Sequence, residues 1–408
     1  MTQDPIVVTG LGLITCIGLD LNESWASLVA GKSGARTITS FDTSKNYTKF
    51  ACQIHDGFDD MARKYATKRL LRQTSRTCQG SYVAAKQMVQ QYGIDFSTLN
   101  RKRIGVIIGS GAAVALGQAD IEKESQDPYA VVKNMPNAVP ARISLEFDLQ
   151  GPSFVVSTAC ASGADAIGLA WQLIDSGRCD MVLTGGTEVM VNPYSIQGFN
   201  SAMALSERND SPATASRPFE KNRSGFVMGE GAGVVILERA SHARARGARV
   251  ICQHRGYAST CEASDIMRPK EGGEGMAHTM RMALEYSSTR PEEVDYISAH
   301  GTSTGQNDRS ETMAIKQVFG AHASKLAVSS QKSMVGHALG AAGAIEFVAS
   351  AKIIEEGIIT PTINYDEPDP ELDLDYVPNV ARKADVNVVT SNSFGFGGHN
   401  CVHVLSRY

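Results

Sequence analysis

Residues 154–164, Phe154-Val155-Val156-Ser157-Thr158-Ala159-Cys160-Ala161-Ser162-Gly163-Ala164, narrow the choice of fold more than any other stretch. A short β-branched apolar run reads as a buried strand. Small residues then flank one cysteine. From Gly163 onward Ala166, Ile167, Leu169, Ala170, Leu173 and Ile174 recur at helical spacing. Strand, tight turn with a thiol at its apex, helix: this is a nucleophile elbow with cysteine in place of serine. A thiol so placed faces the unpaired amides of a helix N-terminus, where the macrodipole favours the thiolate. A buried structural cysteine is the plainer reading of the same residues, so the rest of the chain must supply the other groups of a site.

A chain of 408 residues, 42% of them hydrophobic, needs more than one small core and is expected to form two domains or a duplicated pair of layers. Its formal charge of −4 gives no reason to expect nucleic acid as a partner. No apolar run approaches the roughly 18 residues that cross a bilayer. The N-terminus runs into a strand without a basic-then-apolar leader, so a cytoplasmic enzyme is expected. None of the eight cysteines sits in a Cys-x-x-Cys pair. The nine histidines form no His-x-x-x-His helix pair with a neighbouring acid. Neither disulfides nor a metal site are expected.

Residues 6–12 read as a strand ending in a glycine turn, but Gly10-x-Gly12 has no third glycine before Gly18 and is weak support for a nucleotide. A helical pattern over 61–92 carries Arg63, Lys64, Lys68, Arg69, Arg72 and Arg76. That run is either a solvated face or a basic patch able to steer an acidic partner. Residues 112–140, broken by Pro128, Pro136 and Pro140, suit a lid or a subunit contact, and 192–222 read as a long polar loop. The second half repeats the order, with strands expected at 250–257, 294–299, 325–329, 386–390 and 401–405 and helices near 275–286, 308–319 and 340–356. Such alternation implies mostly parallel sheets covered by helices, with a boundary near 250.

Three loops of the second half, 299–305, 332–340 and 391–400, fall at strand ends, where α/β proteins place ligands. His300 and His337 stand there among glycines and small residues, which is not how a core histidine is framed. His403 alternates with Val402 and Val404 and is expected on the polar face of a strand. One cysteine at an elbow and two loop histidines make the inventory of a thiol acyl-transfer site.

The same residues carry a family likeness. Thr158-Ala159-Cys160-Ala161-Ser162-Gly163, His300-Gly301-Thr302-Ser303-Thr304, Lys332-Ser333-Met334-Val335-Gly336-His337 and Asn392-Ser393-Phe394-Gly395-Phe396-Gly397-Gly398 resemble the β-ketoacyl-acyl carrier protein synthases of the elongating (I/II) type. So do Ala204-Leu205-Ser206-x-Arg208-Asn209-Asp210 and Ser216-Arg217-Pro218-Phe219, and the motifs follow the family's order.

The likeness implies a thiolase-like α/β fold: two similar βα halves, 1–250 with the cysteine and lid and 251–408 with the two histidines, in five α-β-α-β-α layers and usually dimeric. It implies that Cys160 takes an acyl chain from acyl carrier protein and extends it by decarboxylative condensation with malonyl-acyl carrier protein. The amides of Cys160 and Phe396 match the oxyanion hole, and Phe396 also matches the gate. His300 and His337 match the donors to the malonyl thioester oxygen. Lys332 matches an ordering lysine with Glu346 as partner; Asp308 is a further supporting residue. Thr302 and Thr304 match contacts to the phosphopantetheine arm, and Lys64, Lys68 and Arg69 fall near the carrier-docking segment. No cofactor is implied beyond that arm, which carries the substrates, and no membrane or nucleic acid partner.

Departures bear on the pathway. Residues 261–269 replace a stretch that commonly carries His and Ser or Thr, 305–308 lack a usual proline, and the lid at 110–140 reads as shortened. These depart from the usual fatty acid pattern and fit a specialised relative, such as the catalytic subunit of a type II polyketide or polyene system paired with a chain-length factor in place of itself; an elongating enzyme of fatty acid synthesis remains the leading expectation. A silent chain-length partner would lack Cys160, an initiating synthase would carry Asn at His337, and a thiol hydrolase needs one histidine with an orienting Asn or Asp.

Overall fold

The computed structural model describes residues 4–54, 57–111 and 126–408. Its main sheet has ten strands: β1 (Ile6–Thr15), β2 (Ile104–Gly109), β3 (Ser153–Val156), β4 (Met181–Glu188), β5 (Gly231–Arg239), β6 (Cys252–Cys261), β7 (Tyr296–Ser298), β8 (Ala327–Ser329), β9 (Val388–Gly395) and β10 (His399–Ser406). They lie in the order β8-β7-β9-β10-β6-β1-β5-β4-β2-β3. Counted from its own first strand, each half has the same arrangement, third-second-fourth-fifth-first. The second strand of each half pairs in parallel with the third and fourth. The fifth runs antiparallel to both its neighbours. The halves join where β1 meets β6, at Val7–Gln253 and Val8–Cys252.

Strand alternation distributes side chains to three helical layers. On β5, Val234 and Ile236 pack with Met88 of α1 (Arg76–Gln91) and Val139 and Ile143 of α2 (Ala138–Phe147). Val235 and Leu237 point the other way, into a cluster with Ile167 and Ile174 of α3 (Ser162–Asp175) and Phe347 and Val348 of α6 (Ala342–Glu356). In the second half Tyr296, Val389 and Leu405 join that central cluster. Ile297, Val402 and Val404 instead face Met280 of α4 (Glu274–Tyr286) and Ile315 of α5 (Gly305–Phe319). The result is α-β-α-β-α, the thiolase-like fold, with each fully buried aliphatic side chain contributing about 1.5–3 kcal/mol.

Several expectations need correction. β1 continues as strand through Gly10 and Gly12, with a register shift between Val8 and Gly10. The glycine is needed at 12 for close approach, since a Cβ there would lie 2.6 Å from the carbonyl oxygen of Ala84 on α1. The pattern at 61–92 is three helices, Phe58–Tyr65, Lys68–Arg72 and α1. The side chains of Thr67 and Ser75 cap the second and third by accepting from Leu70 and Cys78 amides. The polar stretch 192–222 contains a helix, Pro193–Ser201, whose cap Asn192 accepts from the Ser195 amide. The third site loop is mostly strand: β9 continues to Gly395 and only Phe396–Gly398 form a turn. Of the lid at 110–140, residues 112–125 lie outside the described residues. Among the described residues no helix is long and apolar enough to cross a membrane.

His403 is fully buried. Alternation with Val402 and Val404 does turn it to the opposite face, but here that face is the central layer. His403 Nδ1 lies 3.0 Å from His254 Nε2, and His403 Nε2 lies 3.0 Å from the carbonyl oxygen of Ala164 in α3.

Candidate active site

β3 delivers the chain to a 3-10 turn, Ala159–Ala161, that leads into α3 and carries Cys160. Ala159 has φ +50°, a left-handed conformation for a residue with a Cβ. The turn is fixed from below. Ser162 Oγ accepts from the Thr158 amide at 2.9 Å and donates to the Ala159 carbonyl at 2.6 Å. Thr158 Oγ1 donates to Asp165 at 2.6 Å.

The second half repeats the turn. Leu339–Ala341 is a 3-10 turn leading into α6, Leu339 has φ +46°, and Gly340 occupies the place of Cys160. The two helices that follow are pressed together at small residues. A Cβ on Gly163 would lie 3.0 Å from Ala344 Cβ, and one on Gly343 would lie 2.8 Å from Ala164 Cβ. This contact seats the Cys160 turn of one half against the loops of the other.

His300 follows β7. Its amide and that of Gly301 both donate to Glu311 of α5 at 2.8 Å, and Asn392 of β9 donates to the same carboxylate at 3.1 Å. His337 is held by its backbone, which donates to Val227 at 2.7 Å and accepts from Gly229 at 2.9 Å. The two imidazoles stand edge to face, centroids 5.3 Å apart. Lys332, fully buried, forms an ion pair with Glu346 of α6 and places its Nζ 3.3 Å from His300 Nδ1. An ammonium only donates, so Nδ1 is the acceptor and the proton of His300 sits on Nε2. Ser216 Oγ anchors the Lys332 carbonyl at 2.7 Å.

Burial drives the pKa of His300 well below the usual imidazole range, with further lowering from Lys332 and His337. Burial does the same to His337, aided by Lys332. Both rings are therefore neutral donors. Burial pushes the Cys160 thiol up to about 11, opposed by the Lys332 charge and by the amides of Phe396 and Cys160 itself. The expected helix-terminus thiolate is thus outweighed by desolvation in the resting enzyme. Burial also pushes the Glu346 carboxyl up to about 7 against the pull of Lys332.

The remaining candidates fall at varied places. Phe396 starts the turn whose Gly397 and Gly398 have φ +82° and +75°, and its amide is directed at the Cys160 sulfur. Thr302 and Thr304 share a hydrogen bond, Oγ1 to Oγ1 2.9 Å. Asp308 is buried, accepts from the Phe219 amide at 2.8 Å and lies 3.8 Å from Arg223. Lys64, Lys68 and Arg69 are exposed. Nearby Arg63 and Arg76 pair with Asp60 and Asp59, whereas Lys68, Arg69 and Arg72 have no ion-pair partner among the described residues. Glu311 is the residue that sequence reasoning missed; its one signal is a carboxylate on the helix that follows the His300 loop.

Cys160 belongs to an apolar cluster with Ile38, Met190, Ile196, Leu205, Phe226 and Leu339. Phe226 in turn meets the His337 ring edge-on at 5.3 Å. Sulfur, two neutral imidazole donors and a buried ammonium therefore converge beside an apolar lining. The first half supplies the sulfur and the second supplies the rings.

Residues 3–243 match the N-terminal domain of β-ketoacyl synthases and residues 251–366 match their C-terminal domain. The chain is 42% identical to a 3-oxoacyl-[acyl-carrier-protein] synthase 2 of Synechocystis, over 99% of this chain and 98% of that one. It superposes with a TM-score of 0.91 and 34% identity on a structure titled the ishigamide ketosynthase/chain length factor, covering 100% of both chains. A type II polyketide synthase acyl-carrier protein in complex with its ketosynthase bound to the hexaketide gives a TM-score of 0.88 and 33% identity, again over 100% of both chains. With both domains matched in order and the elbow cysteine and loop histidines brought to one place, the chain belongs to the β-ketoacyl synthase family.

Proposed function

We propose that the chain is a cytoplasmic condensing enzyme of fatty acid elongation that extends an acyl chain by decarboxylative condensation. Cys160 attacks the thioester of acyl carrier protein; its S–H proton passes to the departing phosphopantetheine thiol, and the acyl group becomes a thioester on the enzyme. Malonyl-acyl carrier protein then loses its carboxyl group as carbon dioxide, leaving the bonding electron pair as an enolate. The enolate carbon attacks the Cys160 thioester, and collapse of the tetrahedral oxyanion expels the cysteine sulfur and releases 3-oxoacyl-acyl carrier protein. Negative charge appears on two different oxygens. The Nε2–H of His300 and the neutral ring of His337 suit the enolate oxygen, and the amides of Cys160 and Phe396 suit the acyl-enzyme oxyanion. Division of the chain into a cysteine-bearing half, 1–250, and a histidine-bearing half, 251–408, fits this division of labour. Thr302 and Thr304 are positioning residues for the phosphopantetheine arm, and the exposed cations Lys64, Lys68 and Arg69, the last two without an ion-pair partner among the described residues, dock the acidic carrier.

The observation that carries this reading is Lys332, whose ammonium touches both Glu346 and His300 Nδ1 and offsets part of the burial-driven rise in the Cys160 pKa. Cys160→Ala is expected to give no acyl adduct by intact mass after mixing with acyl carrier protein while retaining its circular dichroism spectrum. An adduct of unchanged mass on the variant would remove Cys160 from the role. The ketosynthase/chain length factor neighbour supports a second reading, a catalytic subunit paired with a different chain. The edge strand β3 suits either partner, since its Ser153 is exposed and its Phe154, Val155 and Val156 are part-exposed.

A further inference from the structure

Helix Pro193–Ser201 contributes Ile196 to the apolar cluster of Cys160, and Asn200 stands one turn later on the same face; both are buried. Phe199, between them, packs on that cluster and meets Phe226 edge-on at 5.3 Å. Asn200 is 6% exposed, and neither its Oδ1 nor its Nδ2 has a hydrogen-bond partner among the described residues. Every other buried Asn or Gln described has at least one. Asn46 donates to Gln197, Gln87 to Leu19, and Asn307 to Asp308. Gln331 donates to Tyr296, Asn392 to Glu311, and Asn400 to Glu262. An amide removed from water and left unpaired at both ends destabilises the fold, and leucine would fill a similar space without that penalty.

We propose that Asn200 is a specificity-determining residue whose amide hydrogen-bonds an oxygen borne along the acyl chain on Cys160. The enzyme then prefers an oxoacyl or hydroxyacyl chain to a saturated chain of equal length. A carboxamide suits either oxygen: its N–H donates to a ketone, and its N–H and C=O together satisfy a hydroxyl. A saturated chain would keep the amide unpaired, and its own methylenes would lie against a polar group. The inference rests on the reading above that Cys160 carries an acyl group; it favours the second form of that reading, the catalytic subunit paired with a different chain, because fatty acid elongation reduces each keto group before the next condensation.

Acyl carrier proteins bearing a medium-length saturated chain, or the same chain with one keto group at successive carbons, are mixed with the wild type and with Asn200→Leu. Initial rates of Cys160 acylation are read by intact mass. At one keto position the wild type is expected to load about tenfold faster than with the saturated chain, the worth of one neutral hydrogen bond. In Asn200→Leu the ratio is expected to fall to near one, and Asn200→Ala provides the same comparison with a smaller side chain. Keto chains that load no faster at any position, or a ratio unchanged in the variants, overturn the role of Asn200 while acylation itself still supports the condensing enzyme. Failure of every chain to acylate Cys160 overturns both. The wild-type ratio needs no variant, so it stands whether or not the substitutions fold.

Discussion

Replacing His254 and His403 together by leucine should make the protein markedly less sensitive to acid. The pair lies in the central layer with the rings tilted 60° to each other and ring nitrogens 3.0 Å apart, and with His403 Nε2 on the Ala164 carbonyl. That chain of contacts orders both rings: His403 donates to Ala164 through Nε2 and accepts from His254 at Nδ1, leaving no place for an added proton on His403, while His254 Nδ1 is buried without a partner to receive one. Burial pushes His403 down to about 4, and burial together with His403 pushes His254 well below its ordinary value. The unfolded chain takes up these protons near pH 6.5, whereas the folded one does not, so stability is lost as pH falls through 6.5 and, for His403, on toward 4. Between about pH 7.5 and 5.5 each ring costs about 1.4 kcal/mol, and the pair about 3 kcal/mol. His300 and His337 add losses of the same sign. The carboxyls of Glu230, Asp308, Glu311 and Glu346, pushed up by burial, act in the opposite sense. All of these are common to both proteins and cancel in the difference. Urea unfolding of wild type and double variant at the two pH values, followed by far-UV circular dichroism, should show the gap between them widening by about 3 kcal/mol in favour of the variant. Parallel losses would refute the neutral buried pair.

Three further outcomes follow from the site. Glu346 is charged above about pH 7, so decarboxylation of malonyl-acyl carrier protein should rise with pH through that value; in Glu346→Gln the limb should vanish, and its persistence would detach Glu346 from Lys332. His300→Ala and His337→Ala should still load acyl groups yet condense roughly 100- to 1000-fold more slowly, as loss of one oxyanion donor does elsewhere; normal decarboxylation by both would contradict the donor role. Lys68→Glu with Arg69→Glu should raise KM for acyl carrier protein several-fold and flatten its dependence on salt, whereas an unchanged salt profile would move docking to another face.

The elbow and the two loop histidines were legible because their contexts conflict with packing. A cysteine among small residues and histidines among glycines make poor core. The nature of the central layer was not legible. Alternation told that His403 faces away from Val402 and Val404, but not that both faces of β10 are covered. Glu311 was hidden for a related reason. A carboxylate that receives backbone amides needs no motif around it, only the correct turn of α5. Thr67 and Ser75 interrupt a continuous apolar period, and a cap inside such a pattern looks like an ordinary helical residue. Gly12 looked like a turn because close approach of α1 leaves no trace in the strand's own sequence.

The turn at Leu339–Ala341 has a mechanical meaning. A Cβ at Gly340 would stand 2.1 Å from the Gly111 nitrogen and 2.7 Å from a Glu188 carboxylate oxygen, so this copy of the bend has no room to display a reactive atom. It serves instead as an anvil on which its twin is set. Thickening the silent bend would not create a second workable thiol; it would shift the one that exists away from its donors.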